Sequence, residues 1–383
     1  MEERQQVSDH VTPSDSDLED VAMHRQEAYL PAAEELFERS NLSRSQFLMW
    51  LGQELDPAVP LYNMIQTFRI EGPIDPVAFD RAWQMLVRAS DAMRTTVALR
   101  EGAPWQTVHP ELAVPVTVVD LREVTEPEAA GAAWIDARKA HPLPVGERLW
   151  DTALLRLSDD TSVWYLCQHH LITDGQSFAV AYRFMSQCYA LACEGRFNAA
   201  PGLPAYEDYL TYERRARSGP AASKASGYWR EKLARPAAPT VFYGRCPDGR
   251  TARTDRVVLD VGRGRSARLR EIAGRPGYAS LSEDLSLHTM WATLLFTVLY
   301  RTTGQSSLRV GTPFLGRPTA AFRTTIGLFI EIGALDVQVG RDDAFETLAT
   351  RVQRELLQGA IHARPGVSSA ELNRSYDVLL NCV

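Results

Sequence analysis

One stretch of this 383-residue chain constrains its fold more than any other: Gln168-His169-His170-Leu171-Ile172-Thr173-Asp174-Gly175-Gln176-Ser177. It lies where one structural period gives way to another. Upstream, Ser162 to Gln168 is rich in Val, Trp, Tyr and Leu and follows the polar pair Asp159-Asp160, which predicts a strand. Downstream, the run from Ser177 through Met185 predicts a helix that either Ser177 or Asp174 can cap. A turn permitted by Gly175 joins the two. Two imidazoles, a carboxylate and a glycine are thereby gathered at the end of a strand.

Side chains alternate across a strand. If the strand runs through the histidine pair, His169 shares a face with Val163, Tyr165 and Cys167, and His170 shares the other with Trp164, Leu166 and Gln168. One histidine then faces an internal passage and its neighbour faces away. Three readings follow. The cluster is two core histidines with a helix-capping aspartate; or a metal site, since His and carboxylate suit iron or zinc; or a general-base histidine working near neutral pH. Adjacent strand residues pointing apart do not readily share one ion, and no other histidine stands at a ligand spacing, so no metal is expected.

The rest of the chain bounds these readings. Its length suits two domains of ordinary size, and 45% hydrophobic residues supply an ample core. A formal charge of −7 argues against broad nucleic-acid binding. Five scattered cysteines (167, 188, 193, 246 and 382) form no CxxC or zinc spacing and predict reduced, cytoplasmic thiols. The uncharged run Leu285 to Tyr300 falls short of the ~20 residues that span a bilayer and predicts a buried helix ending near Gly304, so no membrane partner is expected. The acidic, polar start has no signal-peptide pattern.

Further motifs order the chain. Leu42 to Leu51 reads L-S-R-S-Q-F-L-M-W-L, and Leu61-Tyr62-Asn63 follows. Ala89 to Thr95 reads A-S-D-A-M-R-T. Later come Tyr206-Glu207-Asp208-Tyr209, Tyr228-Trp229, Val310-Gly311-Thr312-Pro313, Gly316-Arg317, Ile326-Gly327-Leu328-Phe329 and Asp377-Val378-Leu379-Leu380-Asn381. With H-H-x-x-x-D-G, their order and spacing from about residue 41 onward resemble the condensation domains of nonribosomal peptide synthetases, within the chloramphenicol acetyltransferase superfamily. Departures are Ser45 for the motif alanine, Ala89 and Ser90 in the second motif, and Glu331-Ile332 where the family has N-T.

The resemblance implies an α/β fold of two chloramphenicol acetyltransferase-like lobes in a V, with a central tunnel. Carrier proteins dock at opposite mouths and present thioesters on phosphopantetheine arms, so no cofactor is permanently bound. The implied activity is amide formation between a carrier-bound acyl or peptidyl thioester and an acceptor amine. By position, His170, His169, Asp174 and Gly175 make up the catalytic loop. His170 is the functional histidine, and Gly175 either offers an oxyanion N–H or serves only the turn. Asp174 is expected to pair with Arg94. Ser177, Gly327 and Glu331 are candidate tunnel-lining residues, a displaced surface loop being the alternative for Glu331. The partners implied are donor and acceptor peptidyl carrier proteins or neighbouring synthetase modules, met by a monomer. Two alternatives stay open: an acyl-CoA-dependent O- or N-acyltransferase, and a non-catalytic recruitment module.

Organisation follows as residues 1–40, an extension with a disordered acidic start and a possible docking helix from Leu18 to Ser40; 41–215, a first lobe with helices such as Pro76 to Ala89; 216–256, an Arg- and Lys-rich crossing; and 257–383, an incomplete second lobe. The resemblance implies that relatives continue past the equivalent of Asn381, with part of that continuation crossing between lobes as a latch.

Overall fold

The structure, a computed structural model, describes residues 33–382 apart from 113, 198–201, 236, 241 and 243–255. The expected acidic tail, and most of the helix expected from Leu18 to Ser40, lie outside the described residues. The first long helix, α1 (Arg44–Leu55), starts on a capping box. Ser43 Oγ accepts from Gln46 N–H, and Gln46 Oε1 accepts from Ser43 N–H. β1 (Asn63–Glu71) follows. Then comes α2 (Pro76–Ala89), over the residues the sequence predicts, because Asp75 caps it and Pro76 fits the first turn. Its apolar stripe of Phe79, Ala82, Trp83 and Leu86 is buried.

β2 (Thr95–Arg100) and β3 (Ala103–Val108) form a hairpin. β4 (Thr117–Asp120), α3 (Pro127–Lys139), β5 (Trp150–Arg156) and β6 (Thr161–His169) complete the first lobe's sheet, in the order β1-β6-β5-β4. Only β4 and β5 run parallel. The expected alternation holds along β6: Trp164 and Leu166 enter the main core, while Tyr165 and Cys167 enter a smaller one. The strand ends at His169, however. His170–Ile172 form a turn of 3₁₀ helix, so the two-residue period does not fix the direction of His170. α4 (Gly175–Cys193) then packs against α2.

α5 (Tyr206–Arg217) and α6 (Pro220–Leu233) lead to the second lobe. The expected crossing, 216–256, is no linker over its first part. Trp229 of α6 is buried beside Ala334 and Leu372, and its indole N–H donates to His362 O at 2.9 Å. Lys232 Nζ, buried alongside, donates to Ala334 O at 2.8 Å and pairs with Glu355 at 2.6 Å. An aromatic anchor and a paired cation thus commit α6 to the second lobe. That lobe holds α7 (Arg263–Ala273), α8 (Glu283–Thr303), β7 (Ser307–Leu315), β8 (Ile330–Gln338) and α9 (Phe345–His362). α8 is capped by Ser282, and left-handed Gly304 (φ 73°) stops it where its sequence predicts an end. β7 and β8 pair antiparallel, and the Asp377–Asn381 segment lies along β7 through Gly311 N–H to Val378 O (2.8 Å) and Leu380 N–H to Gly311 O (2.9 Å).

The link between β7 and β8 positions the site. Residues 316–329 leave the second lobe and bury Phe322, Ile326 and Phe329 in the core of the first, against Tyr206 and Tyr209. Two glycines allow the close approach. A Cβ at Gly316 would stand 2.0 Å from Phe329 O, and one at Gly327 would stand 2.1 Å from the Tyr206 ring. A segment of the second lobe thus crosses into the first.

Candidate active site

The two histidines differ in their hydrogen bonds. His169 is fully buried. Its Nδ1 accepts from Leu171 N–H at 3.1 Å, so the ring proton sits on Nε2, which faces Gln53 Oε1 at 3.4 Å. The Gln53 amide is oriented by donating to Asp56 O (3.1 Å) and Val59 O (3.0 Å). Burial, and then the neighbouring His170, push the His169 pKa down to about 3. It stays neutral with both nitrogens engaged, so the expected catalytic role for His169 is corrected: the ring has no nitrogen left for substrate.

His170 N–H donates to Tyr62 O at 2.8 Å, which ties the turn to the start of β1. Its ring Nδ1 lies 2.7 Å from Thr173 O. A carbonyl only accepts, so Nδ1 carries the proton and Nε2 keeps its lone pair. Burial holds the pKa below the usual histidine range, partly offset by the bond to Thr173. At neutral pH this is an unprotonated base whose Nε2 has no protein partner among the described residues.

Asp174 is the N-cap of α4. Its Oδ1 accepts from Ser177 N–H at 2.9 Å, and Oδ2 accepts from Phe329 N–H at 3.1 Å. Its salt bridge is to Arg317, not to the expected Arg94: Arg317 Nη2 donates to Asp174 Oδ1 at 2.6 Å, with both side chains buried. Arg317 Nη1 donates to Phe322 O (2.6 Å) and Thr325 O (2.7 Å), and its guanidinium lies 4.0 Å from the centre of the Phe329 ring. Arg94 serves its own lobe, donating to His109 O (2.5 Å) and Pro110 O (3.2 Å).

The expected tunnel-lining residues are corrected in the same way. Ser177 Oγ accepts from Arg317 Nη2–H (2.8 Å) and Gly327 N–H (3.1 Å) and lies 2.8 Å from Gly327 O. Gly327 is held against Tyr206. Glu331 is neither on a surface loop nor lining a channel. It is fully buried, with Oε1 accepting from Gly366 N–H (2.6 Å) and Oε2 from Ser368 N–H (3.0 Å) and its hydroxyl (2.5 Å). All three residues belong to the seam between the lobes. Gly175 is the first residue of α4 and has no left-handed backbone to explain it. It lies in the first turn of a helix, where N–H groups have no carbonyl to bond within the helix. Among the described residues no cluster of His, Cys, Asp and Glu can hold a metal, and no helix is long and apolar enough to cross a membrane.

A lone-pair-bearing imidazole thus stands at the end of a strand, beside a helix N-terminus and next to the segment that crosses between two α/β lobes. The chain belongs to the condensation domain family, whose profile matches residues 38–369. It is 29% identical over 341 residues to an isonitrile lipopeptide synthase of Streptomyces coeruleorubidus, covering 86% of this chain and 22% of that protein. It is 28% identical over 325 residues to phosphinothricin tripeptide synthetase PhsC of Streptomyces viridochromogenes, covering 83% and 29%. The chain thus spans less than a third of the length of these curated relatives. Its fold matches the first condensation domain of the calcium-dependent antibiotic synthetase, solved with a substrate analogue (TM-score 0.76, 23% identity, 89% of this chain and 80% of that one). It also matches a variant of the starter condensation domain of rhizomide synthetase solved with C8-CoA (TM-score 0.78, 22% identity, 89% and 77%).

Arg317 is the residue whose role the sequence reading missed. It stands in the Gly316-Arg317 motif, but nothing in that motif shows that residues 316–329 leave their own lobe.

Proposed function

We propose that this chain is an acyltransferase that joins a carrier-bound acyl or peptidyl thioester to an acceptor amine, forming an amide in nonribosomal peptide biosynthesis. The carrying observation is the tautomer of His170: Nδ1–H spent on Thr173 O leaves Nε2 to accept a proton. The acceptor nitrogen attacks the thioester carbonyl and a tetrahedral oxyanion forms. His170 Nε2 takes the proton from the attacking nitrogen and returns it to the departing phosphopantetheine thiolate as the C–S bond breaks. The N–H of Gly175, in the first turn of α4, is the proposed donor to the oxyanion. Phosphopantetheine arrives as part of the substrate on donor and acceptor carriers, which are the proposed partners. Holding two tethered reactants together supplies much of the acceleration.

Intact-protein mass spectrometry tests this with a donor-loaded carrier, an acceptor-loaded carrier and this chain or its His170→Ala variant. The expected result is a mass gain on the acceptor with the parent chain, reduced at least about 100-fold by His170→Ala, with thermal unfolding unchanged. A solved structural neighbour was captured with C8-CoA, so a parallel arm offers acyl-CoA with a free amine. Product in that arm alone assigns a soluble donor. Carrier binding that survives His170→Ala, with no product from either protein, assigns recruitment.

A further inference from the structure

The proposed reaction requires His170 to be held in place, and the inference below rests on that reading. The next residue, Leu171, has both backbone polar groups bound by side chains. Its N–H goes to His169 Nδ1 at 3.1 Å, and its C=O accepts from Gln46 Nε2 at 2.9 Å. Each gripping side chain is itself fixed. Gln46 Oε1 is committed to the Ser43 N–H at 3.0 Å, and Gln46 Nε2 also lies 3.3 Å from Gln106 Oε1. Gln106 in turn accepts Asn41 Nδ2–H at its backbone carbonyl (2.8 Å) and donates its own N–H to Asn41 Oδ1 (2.7 Å). His169 is backed by Gln53, whose amide is turned by two backbone carbonyls. Gln46 and Gln53 are seven residues apart, two turns on one face of α1. A turn that only connects a strand to a helix can satisfy such groups with backbone or water; here buried side chains hold them.

We propose that Gln46 and His169 are positioning residues for His170: they clamp Leu171 so that the His170 ring reaches Thr173 O through Nδ1 and presents Nε2. The clamp acts on geometry and leaves substrate untouched. A shift of the imidazole by about 1 Å is enough to cost about 100-fold in rate.

The test uses Gln46→Met, His169→Leu and His169→Asn in the two-carrier assay, with 15N imidazole NMR of the free protein. Gln46→Met removes the donor to Leu171 O. His169→Leu removes the acceptor for Leu171 N–H, and His169→Asn places an amide oxygen near the lost Nδ1. Expected are a fall in kcat of about 10- to 100-fold for Gln46→Met and His169→Leu, with KM for both carriers within about twofold, and partial recovery of kcat in His169→Asn. The spectrum of the parent chain is expected to show His169 protonated on Nε2 and His170 on Nδ1, with His170 becoming a tautomer mixture in Gln46→Met. Unchanged kcat in Gln46→Met, or equal loss in His169→Leu and His169→Asn, overturns the inference. So does His169 protonated on Nδ1 in the parent chain, a readout that needs no variant to fold. If the parent chain forms no product, the transfer reading fails, and the spectra still decide the clamp.

Discussion

In the core of the first lobe, Trp83 packs edge-on against Trp150 at 4.9 Å and lies 6.2 Å from Trp164, all three rings fully buried. At the seam between the lobes, ionisable groups are buried among the aromatic rings: Asp174 with Arg317, and the carboxyls of Glu213 and Glu331. Apolar packing degrades gradually, because neighbours partly relax into a vacancy. A buried ion pair does not, because losing one partner strands the other in a dry site. Asp174 and Arg317, which tie the His170 loop to the second lobe, are on the second footing. Asp174 caps α4, four residues after His170, and its opposite oxygen is held by Phe329 N–H from the crossing segment. The loop is therefore registered against the second lobe by charge and hydrogen bonds, while the lobe that carries it is held together by burial.

Arg317→Ala is the severest way to probe that difference. It leaves Asp174 with its capping bonds but no counter-charge, and is expected to cost about 3–5 kcal/mol. The crossing segment loses its bonds at Phe322 O and Thr325 O as well. Denaturant unfolding measures the loss of stability, and single-turnover transfer by the folded fraction is expected to fall with it. Stability within about 1 kcal/mol of the parent would show that the seam tolerates the loss of its ion pair better than the core tolerates a cavity.

Leu86→Ala supplies the other side of the comparison. Leu86 is fully buried in α2, far in sequence from His170, and truncation is expected to cost about 2–4 kcal/mol through lost burial and a cavity. Turnover per folded molecule is expected to stay within about twofold, as for any site whose loss is purely in stability. If turnover falls as steeply as in the arginine variant, the two regions are not mechanically distinct.

These contrasts also mark what was legible in the sequence. α2 was readable to the residue because Asp75, Pro76 and an apolar stripe are local signals. The strand β6, one residue longer at each end than its sequence predicts, and the helix stop near Gly304 were also legible. The direction of His170 was not, because the strand period ends one residue earlier, where the 3₁₀ turn begins. The partner of Asp174 was not legible either. Arg94 and Arg317 both stand in recognisable motifs, and the choice depends on a chain crossing 143 residues away. Glu331 showed as a departure from the family pattern, but its burial comes from the 366–368 segment closing over it. Short-range chemistry was written locally, while pairing across the lobes was set by topology.

The smallest effect, and the most diagnostic of the seam, concerns Glu331. Burial, and then the neighbouring Glu213, raise its pKa to about 8. Burial raises Glu213 to about 7, against the opposing pull of Arg44 N–H, Arg217, the Tyr209 hydroxyl and the Arg44 charge. Glu213 Oε1 accepts from Arg44 N–H at 2.7 Å, while Oε2 accepts no hydrogen bond among the described residues, so the pair retains a proton near neutrality. Both folded-state values exceed the usual carboxylate value of about 4.3. The folded chain therefore binds more protons than the unfolded one between roughly pH 4.5 and 8, and stability falls as pH rises through that window. Glu331→Gln removes one of the two charges and keeps an amide oxygen for the Ser368 N–H and hydroxyl, while its NH2 faces the Gly366 N–H. The variant is expected to flatten the slope of Tm against pH across that window. Parallel curves for the two proteins would mean that Glu331 is ionised throughout, held by its three donors alone. In that case the seam would resemble the Asp174–Arg317 pair more closely than two carboxylates sharing a proton.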